Sequence, residues 1–173
     1  MMTKSTLQKF EEQVAAIDQE KRPKSSISLL GRGIRYLSMR EHSELEIRKK
    51  LSPHAADQEE LNQVIEKLKL KNFLSNARFS ESLVNKKSSG YGSRRLVQEL
   101  RSHDLDQEVI ARHLQDLKKT EPQRAFEVWQ KKFGTIALDS KELAKQIRFM
   151  SGRGFDQETI YRIVRGKTLD DLN

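Results

Sequence analysis

Apolar residues along this chain recur in steps of three and four, not two. Ile47 and Leu51, Leu96 and Leu100, and Ile147 and Met150 each fall on one helical face. A longer stripe stands upstream of each pair. The first holds Ile27, Leu30, Ile34 and Leu37; the second Phe73, Ala77, Phe79 and Leu83; the third Ala125, Phe126, Trp129 and Phe133. Stripes of this kind predict helices that bury one side. No alternating run rich in Val, Ile or Thr occurs, so the pattern predicts no sheet.

A third helix in each set is announced by a repeated tripeptide. Asp-Gln-Glu stands at 57–59, 106–108 and 156–158, at spacings of 49 and 50 residues. Ala56, Leu105 and Phe155 precede the three Asp residues, and Leu61, Ile110 and Ile160 follow four positions after them. An Asp N-cap accepts first-turn N–H groups. Apolar residues on either side of it meet as a hydrophobic staple, and Glu60 adds a capping box to the first copy. Turn signals separate the helices at Ser52-Pro53, Ser88-Ser89-Gly90-Tyr91-Gly92, Gly134 to Asp139 and Gly152-Arg153-Gly154.

The expected fold is therefore all-α: a tandem array of three three-helix units, elongated because each unit packs mainly on its neighbours. The units span residues 25–72, 73–118 and 119–168, with a C-terminal tail at 169–173. Residues 1–24 read as an extra N-terminal helical arm, with Leu7, Phe10, Val14 and Ile17 at heptad spacing and Ser5 to Gln8 as a capping box. Arg22-Pro23 ends it. Such an arm either docks on the first unit or reaches for a partner.

Composition agrees with a string of small cores. Of 173 residues, 35% are hydrophobic and 34% charged, a high charged share for one compact globule. The net charge of +8 favours a polyanion or an acidic protein surface as partner. Cysteine is absent, which excludes disulfides and thiolate metal sites. His42, His54, His103 and His113 show no HxxxH pair, and no metal is expected. No phosphate-binding G-x-x-x-x-G-K-[ST] loop exists, and Gly31-Arg32-Gly33 lacks the strand and third glycine of a dinucleotide site. Glu11-Glu12 and Asp170-Asp171 read as solvated charge. The chain is thus expected to be no enzyme and to need no cofactor. No apolar run reaches 18 residues and the N-terminus turns acidic, so the expectation is a cytoplasmic chain without membrane contact.

Two stretches carry a family resemblance. Arg40-Glu41-His42-Ser43-Glu44-Leu45-Glu46-Ile47-Arg48-Lys49-Lys50-Leu51 resembles the first-unit signature of RecX proteins: a basic residue, a polar turn with Ser, then E-L-x-x-K-L. Phe73-Leu74, Ala77-Arg78-Phe79 and Gly90-Tyr91-Gly92-Ser93-Arg94-Arg95-Leu96-Val97-Gln98-Glu99-Leu100 resemble the second, whose hallmark is G-Y-G and a helix ending in E-L. Lys145 to Val164 is similar in layout to the third. The resemblance spans roughly 27 to 166. One departure is visible: relatives often carry acids after the Gly/Asn-aromatic-Leu turn, where this chain has Ser75-Asn76.

The resemblance implies a regulator that binds RecA filaments on single-stranded DNA and inhibits RecA's ATPase, strand-exchange and coprotease activities, modulating recombination and the SOS response. The expected partners are the RecA filament and, weakly, single- or double-stranded DNA, met by a monomer. The alternative is a helix-turn-helix DNA-binding protein that acts without RecA. Candidate contact residues are the cations and the aromatic of three patches. Arg40, Arg48 and Lys49 form the first. Lys86, Lys87, Tyr91, Arg94, Arg95 and Arg101 form the second, in a stretch (75–101) with six basic and two acidic residues. Lys131, Lys132, Arg148 and Arg153 form the third. A solvated helix face remains open for each patch, as does a purely structural role for Tyr91 at the edge of its unit's core.

Overall fold

The computed structural model describes residues 27–166; the expected N-terminal arm and C-terminal tail lie outside them. Among the described residues every regular element is helical. Unit one comprises α1 (Leu29–Met39), α2 (Glu44–Leu51), a 3₁₀ turn (Ser52–His54) and α3 (Gln58–Leu70). Unit two comprises α4 (Asn76–Lys87), α5 (Ser93–Arg101) and the first half of α6 (Gln107–Lys132). The second half of α6 joins α7 (Ser140–Gly152) and α8 (Gln157–Val164) as unit three. Three separate cores result. Ile47, Leu51, Ile65 and Leu68 anchor the first, Phe79, Leu96, Leu100 and Ile110 the second, and Trp129, Met150, Phe155 and Ile160 the third. The main helix–helix packing stays within each unit.

The three Asp-Gln-Glu sequences do begin helices, but the caps differ. Asp57 accepts from the Glu60 N–H at 2.7 Å and Asp156 from the Glu158 N–H at 2.9 Å, while Asp106 makes no side-chain cap bond. Leu105 with Ile110 and Phe155 with Ile160 are buried as staples. Ala56 is exposed, so the first copy has none. There Glu60 reaches the Ala56 N–H at 2.7 Å, one residue short of the N-cap a capping box would bind. A complete box forms instead at Ser43 and Glu46, opening α2.

The upstream stripes are partly corrected. Ile27 and Phe73 are exposed, as is Ala77, and the first stripe is anchored by Leu29 and Gly33. Gly33 lets α1 approach α3 closely, since a Cβ there would lie 2.8 Å from Leu68 Cδ1.

The largest difference is α6. Two helices were expected between Asp106 and Phe133; one 26-residue helix is found. Pro122 supplies no N–H to the Lys118 carbonyl and should weaken this stretch. Packing overrides it: Leu117, Glu121, Ala125 and Trp129, at steps of four, form one buried stripe that runs from the core of unit two into that of unit three. The boundary expected at 118/119 therefore falls inside a continuous helix.

Candidate binding surface between the helical units

Units two and three meet backbone to backbone. The Gly92 N–H donates to the Arg153 carbonyl at 2.9 Å and the Arg94 N–H to the Gly154 carbonyl at 3.2 Å. A Cβ on Gly92 would lie 2.2 Å from the Gly154 oxygen, and one on Gly154, where φ is +82°, would lie 2.5 Å from Arg95 Cβ. The two glycine-containing turns thus interlock because neither carries a side chain at the point of contact.

Four side chains fasten this junction. The Arg95 guanidinium lies 4.3 Å from the Tyr91 ring centroid and donates to the Gly152 carbonyl at 3.2 Å. Arg153 lies 5.7 Å from Tyr91 and 4.5 Å from Phe149, and donates to the Gly90 carbonyl at 3.0 Å. Arg124 reaches back from α6 to the Ser88, Tyr91 and Leu117 carbonyls at 2.9, 2.7 and 2.8 Å. The carboxylate of Glu121, itself buried, accepts the Asp156 N–H at 2.9 Å. Burial pulls the Arg124 guanidinium below its ordinary value, although Glu121 and Glu127 oppose this.

Units one and two meet through side chains. Ser43 Oγ lies 3.2 Å from His103 Nδ1, the Glu44 N–H donates to Asn76 Oδ1 at 2.9 Å, and Arg78 Nε donates to Glu41 at 2.8 Å. Ser75 caps α4 through the Arg78 N–H. Ser75 and Asn76 therefore hold a helix start and an inter-unit contact. Burial works to raise the Glu46 carboxyl, but the forked bond from Arg40 (2.9 and 3.1 Å) outweighs it and holds it below the usual carboxylate range. Burial likewise opposes, and Arg48 and Lys69 outweigh it, at Glu44.

The thirteen expected contact residues now separate into groups. Arg40 and Arg48 are engaged within unit one, Arg48 with Glu44 and with Asn62. Lys87 pairs with Glu99. Tyr91, Arg95 and Arg153 interlock at the junction, and Lys132 lies 5.9 Å from the Phe149 ring centroid. Lys49, Lys86, Lys131 and Arg148 are exposed on separate helices. Arg94 and Arg101 are exposed on α5 and line a groove of about 1260 Å³ between α5, α6 and the α7–α8 turn. Lys118 of α6, which the sequence did not single out, lines the same groove. Arg124 was missed as well: two of its three partners are carbonyls of a distant turn, and no charge pattern along the chain signals that.

Three of the four histidines have structural partners. His42 is buried with Nδ1 2.9 Å from the Arg40 carbonyl, and burial lowers its pKa against the raising effect of that bond. His113 Nε2 lies 2.8 Å from Ser80 Oγ, and His103 bridges to Ser43. Among the described residues no helix is long and apolar enough to cross a membrane.

Three small helical units in tandem, the second and third joined by interlocked turns beside a cationic groove, define a helical-repeat protein. Models of the first, second and third three-helix domains of RecX match residues 30–68, 75–114 and 120–164, in that order. The regulatory protein RecX of Ralstonia pickettii (strain 12J) is 43% identical over 144 residues, covering 83% of this chain and 91% of that protein. The protein of that name from Neisseria meningitidis serogroup C is 39% identical over 133 residues, covering 77% and 86%. A crystal structure of regulatory protein RecX has a TM-score of 0.63 at 18% identity, over 91% of this chain and 78% of that one, which shows a shared fold. The chain belongs to the RecX family.

Proposed function

We propose that this chain binds RecA filaments on single-stranded DNA and lowers RecA's ATPase, strand-exchange and coprotease activities, thereby restraining recombination and the SOS response. The observation that carries this reading is the match of all three units, in order, to the RecX domains. The architecture supports it. Units joined end to end offer a filament several contact points on one chain, and linked weak contacts gain through effective concentration. In this reading the protein works in the cytoplasm as a monomer and by binding, without catalysis; its similar relatives are named regulatory proteins.

The alternative, duplex reading by a helix-turn-helix without RecA, is disfavoured by the helix starts. Such a reader presents the N-terminal end of its last helix to base edges. Here each of the three third helices begins Asp-Gln-Glu. That end would bring two acids per unit towards a phosphate-lined groove. The test is RecA's ATP hydrolysis on single-stranded DNA with this chain added below stoichiometry. Inhibition is expected; an unchanged rate at low salt would overturn the reading.

A further inference from the structure

We propose that residues 167–173, Lys-Thr-Leu-Asp-Asp-Leu-Asn, fold back over the end of unit three that faces away from unit two, where Leu169 and Leu172 cover Ile136 and Leu138 while Asp170 and Asp171 meet Arg162 and Arg165. The segment lies outside the described residues. The inference does not rest on RecA binding.

The first support is an apolar end with nothing described over it. The α7–α8 turn carries the junction with unit two, so the start of α7 and the close of α8 lie at the opposite end of unit three. Ile136 is 50% exposed there and Leu138 96%, both in the turn that enters α7. Tyr161 stands exposed on α8. A tandem array needs its last unit closed by a polar outer face. Here that face is aliphatic.

Second, the chain leaves α8 on this patch. Gly166 has φ +81° and donates its N–H to the Ile163 carbonyl at 2.9 Å. A glycine in that left-handed conformation ends a helix and turns the chain off its axis. A Cβ added to Gly166 would lie 2.6 Å from Ile136 Cδ1. Ile136 thus rests against the residue from which the segment starts. Seven residues span at most about 25 Å, ample for a patch whose near edge touches Gly166. So short a loop costs little entropy to close.

Third, the charges are complementary. Glu158, Tyr161, Arg162 and Arg165 line a recess of about 330 Å³ on α8. Two arginines outnumber its one carboxylate, and Arg165 lies 5.7 Å from the Tyr161 ring centroid. Asp170 and Asp171 bring the opposite sign five and six residues after Arg165. The leucines that flank them, Leu169 and Leu172, match the two exposed aliphatic side chains in size and number. A second copy of the chain fits less well. Two aliphatic side chains and one partly exposed ring fall far short of the roughly 800 Å² per partner that a stable interface buries.

The experiment is methyl NMR of the full chain, labelled at Ile and Leu. Nuclear Overhauser contacts are expected from Leu169 or Leu172 to Ile136 or Leu138. The variant Leu169→Ser/Leu172→Ser should shift the Ile136 and Leu138 methyl resonances and speed amide exchange across 135–138 several-fold. Leu70→Ser, which removes another exposed leucine from unit one, should move neither. Asp170→Asn/Asp171→Asn should produce part of the same change, as should high salt in the unmodified chain. Absence of the contacts, or unmoved methyls in the double-Ser variant, would overturn the proposal. So would contacts that arise only between chains in a mixture of labelled and unlabelled protein, since a second copy would then be the occupant.

Discussion

Replacing Gly92 by Ala puts a methyl group where the structure has the backbone of the Gly154 turn. Gly92 has φ −75° and ψ 166°, angles open to any residue, so its conformation does not require glycine. Contact does: the new Cβ would sit 2.2 Å from the Gly154 oxygen and 2.3 Å from the Phe155 nitrogen. To reach an ordinary contact the two turns must part by roughly 1.2 Å. That stretches the Gly92–Arg153 and Arg94–Gly154 bonds, now 2.9 and 3.2 Å, beyond hydrogen-bonding range. Two partly buried backbone pairs left unmade cost about 2–5 kcal/mol. Gly152→Ala is the matched control, because no atom lies within 4 Å of its added Cβ. It should leave stability unchanged or raise it by up to about 1 kcal/mol. Urea unfolding followed by helical circular dichroism and by fluorescence of Trp129, the only tryptophan, reads both. At about 1–3 kcal/mol per molar urea, the Gly92→Ala midpoint should fall by roughly 1 M or more. A Gly92→Ala midpoint equal to wild type, or an equal loss in Gly152→Ala, would refute the interlocked-turn account.

Leu96→Ala, at a fully buried position of the second core, should cost about 2–5 kcal/mol in the same assay. Arg124→Gln strips charged donors from the Ser88, Tyr91 and Leu117 carbonyls and should cost about 1.5–3 kcal/mol; a loss below 0.5 kcal/mol, on the order of an exposed substitution, would deny it the clamp role. Glu44 and Glu46 titrate below their usual 4.5 when folded, so the stability they add is complete above that value and is lost as pH falls through the lowered ones. The difference in urea midpoint between wild type and Glu46→Gln should therefore shrink below pH 4.5. His42, depressed by burial from 6.5, adds stability that is complete above 6.5 and declines below it, so acid destabilisation should begin near that pH and be blunted in His42→Gln.

Much of the fold could be read from spacing. Ile47 with Leu51 and Leu96 with Leu100 lie at the centres of their cores, and each repeated Asp stands where a third helix begins. These features are local, and local periodicity reports them. The long α6 was hidden because the repeat of about fifty residues places a unit boundary at 118/119, whereas the stripe that carries the helix across it depends on two cores lying side by side. A polar Glu121 inside that stripe makes sense only once the Asp156 N–H is seen beside it.

The binding surface was less legible. Counting cations along the chain ranked Arg40 with Arg94, but Arg40 is forked onto Glu46 and Arg94 is open. Lys87 finds its acid twelve residues away at Glu99, and Arg78 finds Glu41 thirty-seven residues away. Which cations remain available is a property of the assembled turns, not of charge density. The Gly90-Tyr91-Gly92 motif is half of the junction, with Tyr91 held between Arg95 and Arg153, a structural role that its glycines already suggested.

The central claim is engagement of the RecA filament, and co-sedimentation tests it most directly. RecA filaments assembled on single-stranded DNA with a non-hydrolysable ATP analogue would be pelleted in the presence of the labelled chain at moderate salt. The account predicts saturable recovery of the chain with the filaments, well above its recovery with DNA alone. A chain that stays in the supernatant, or that pellets equally with DNA lacking RecA, would contradict it.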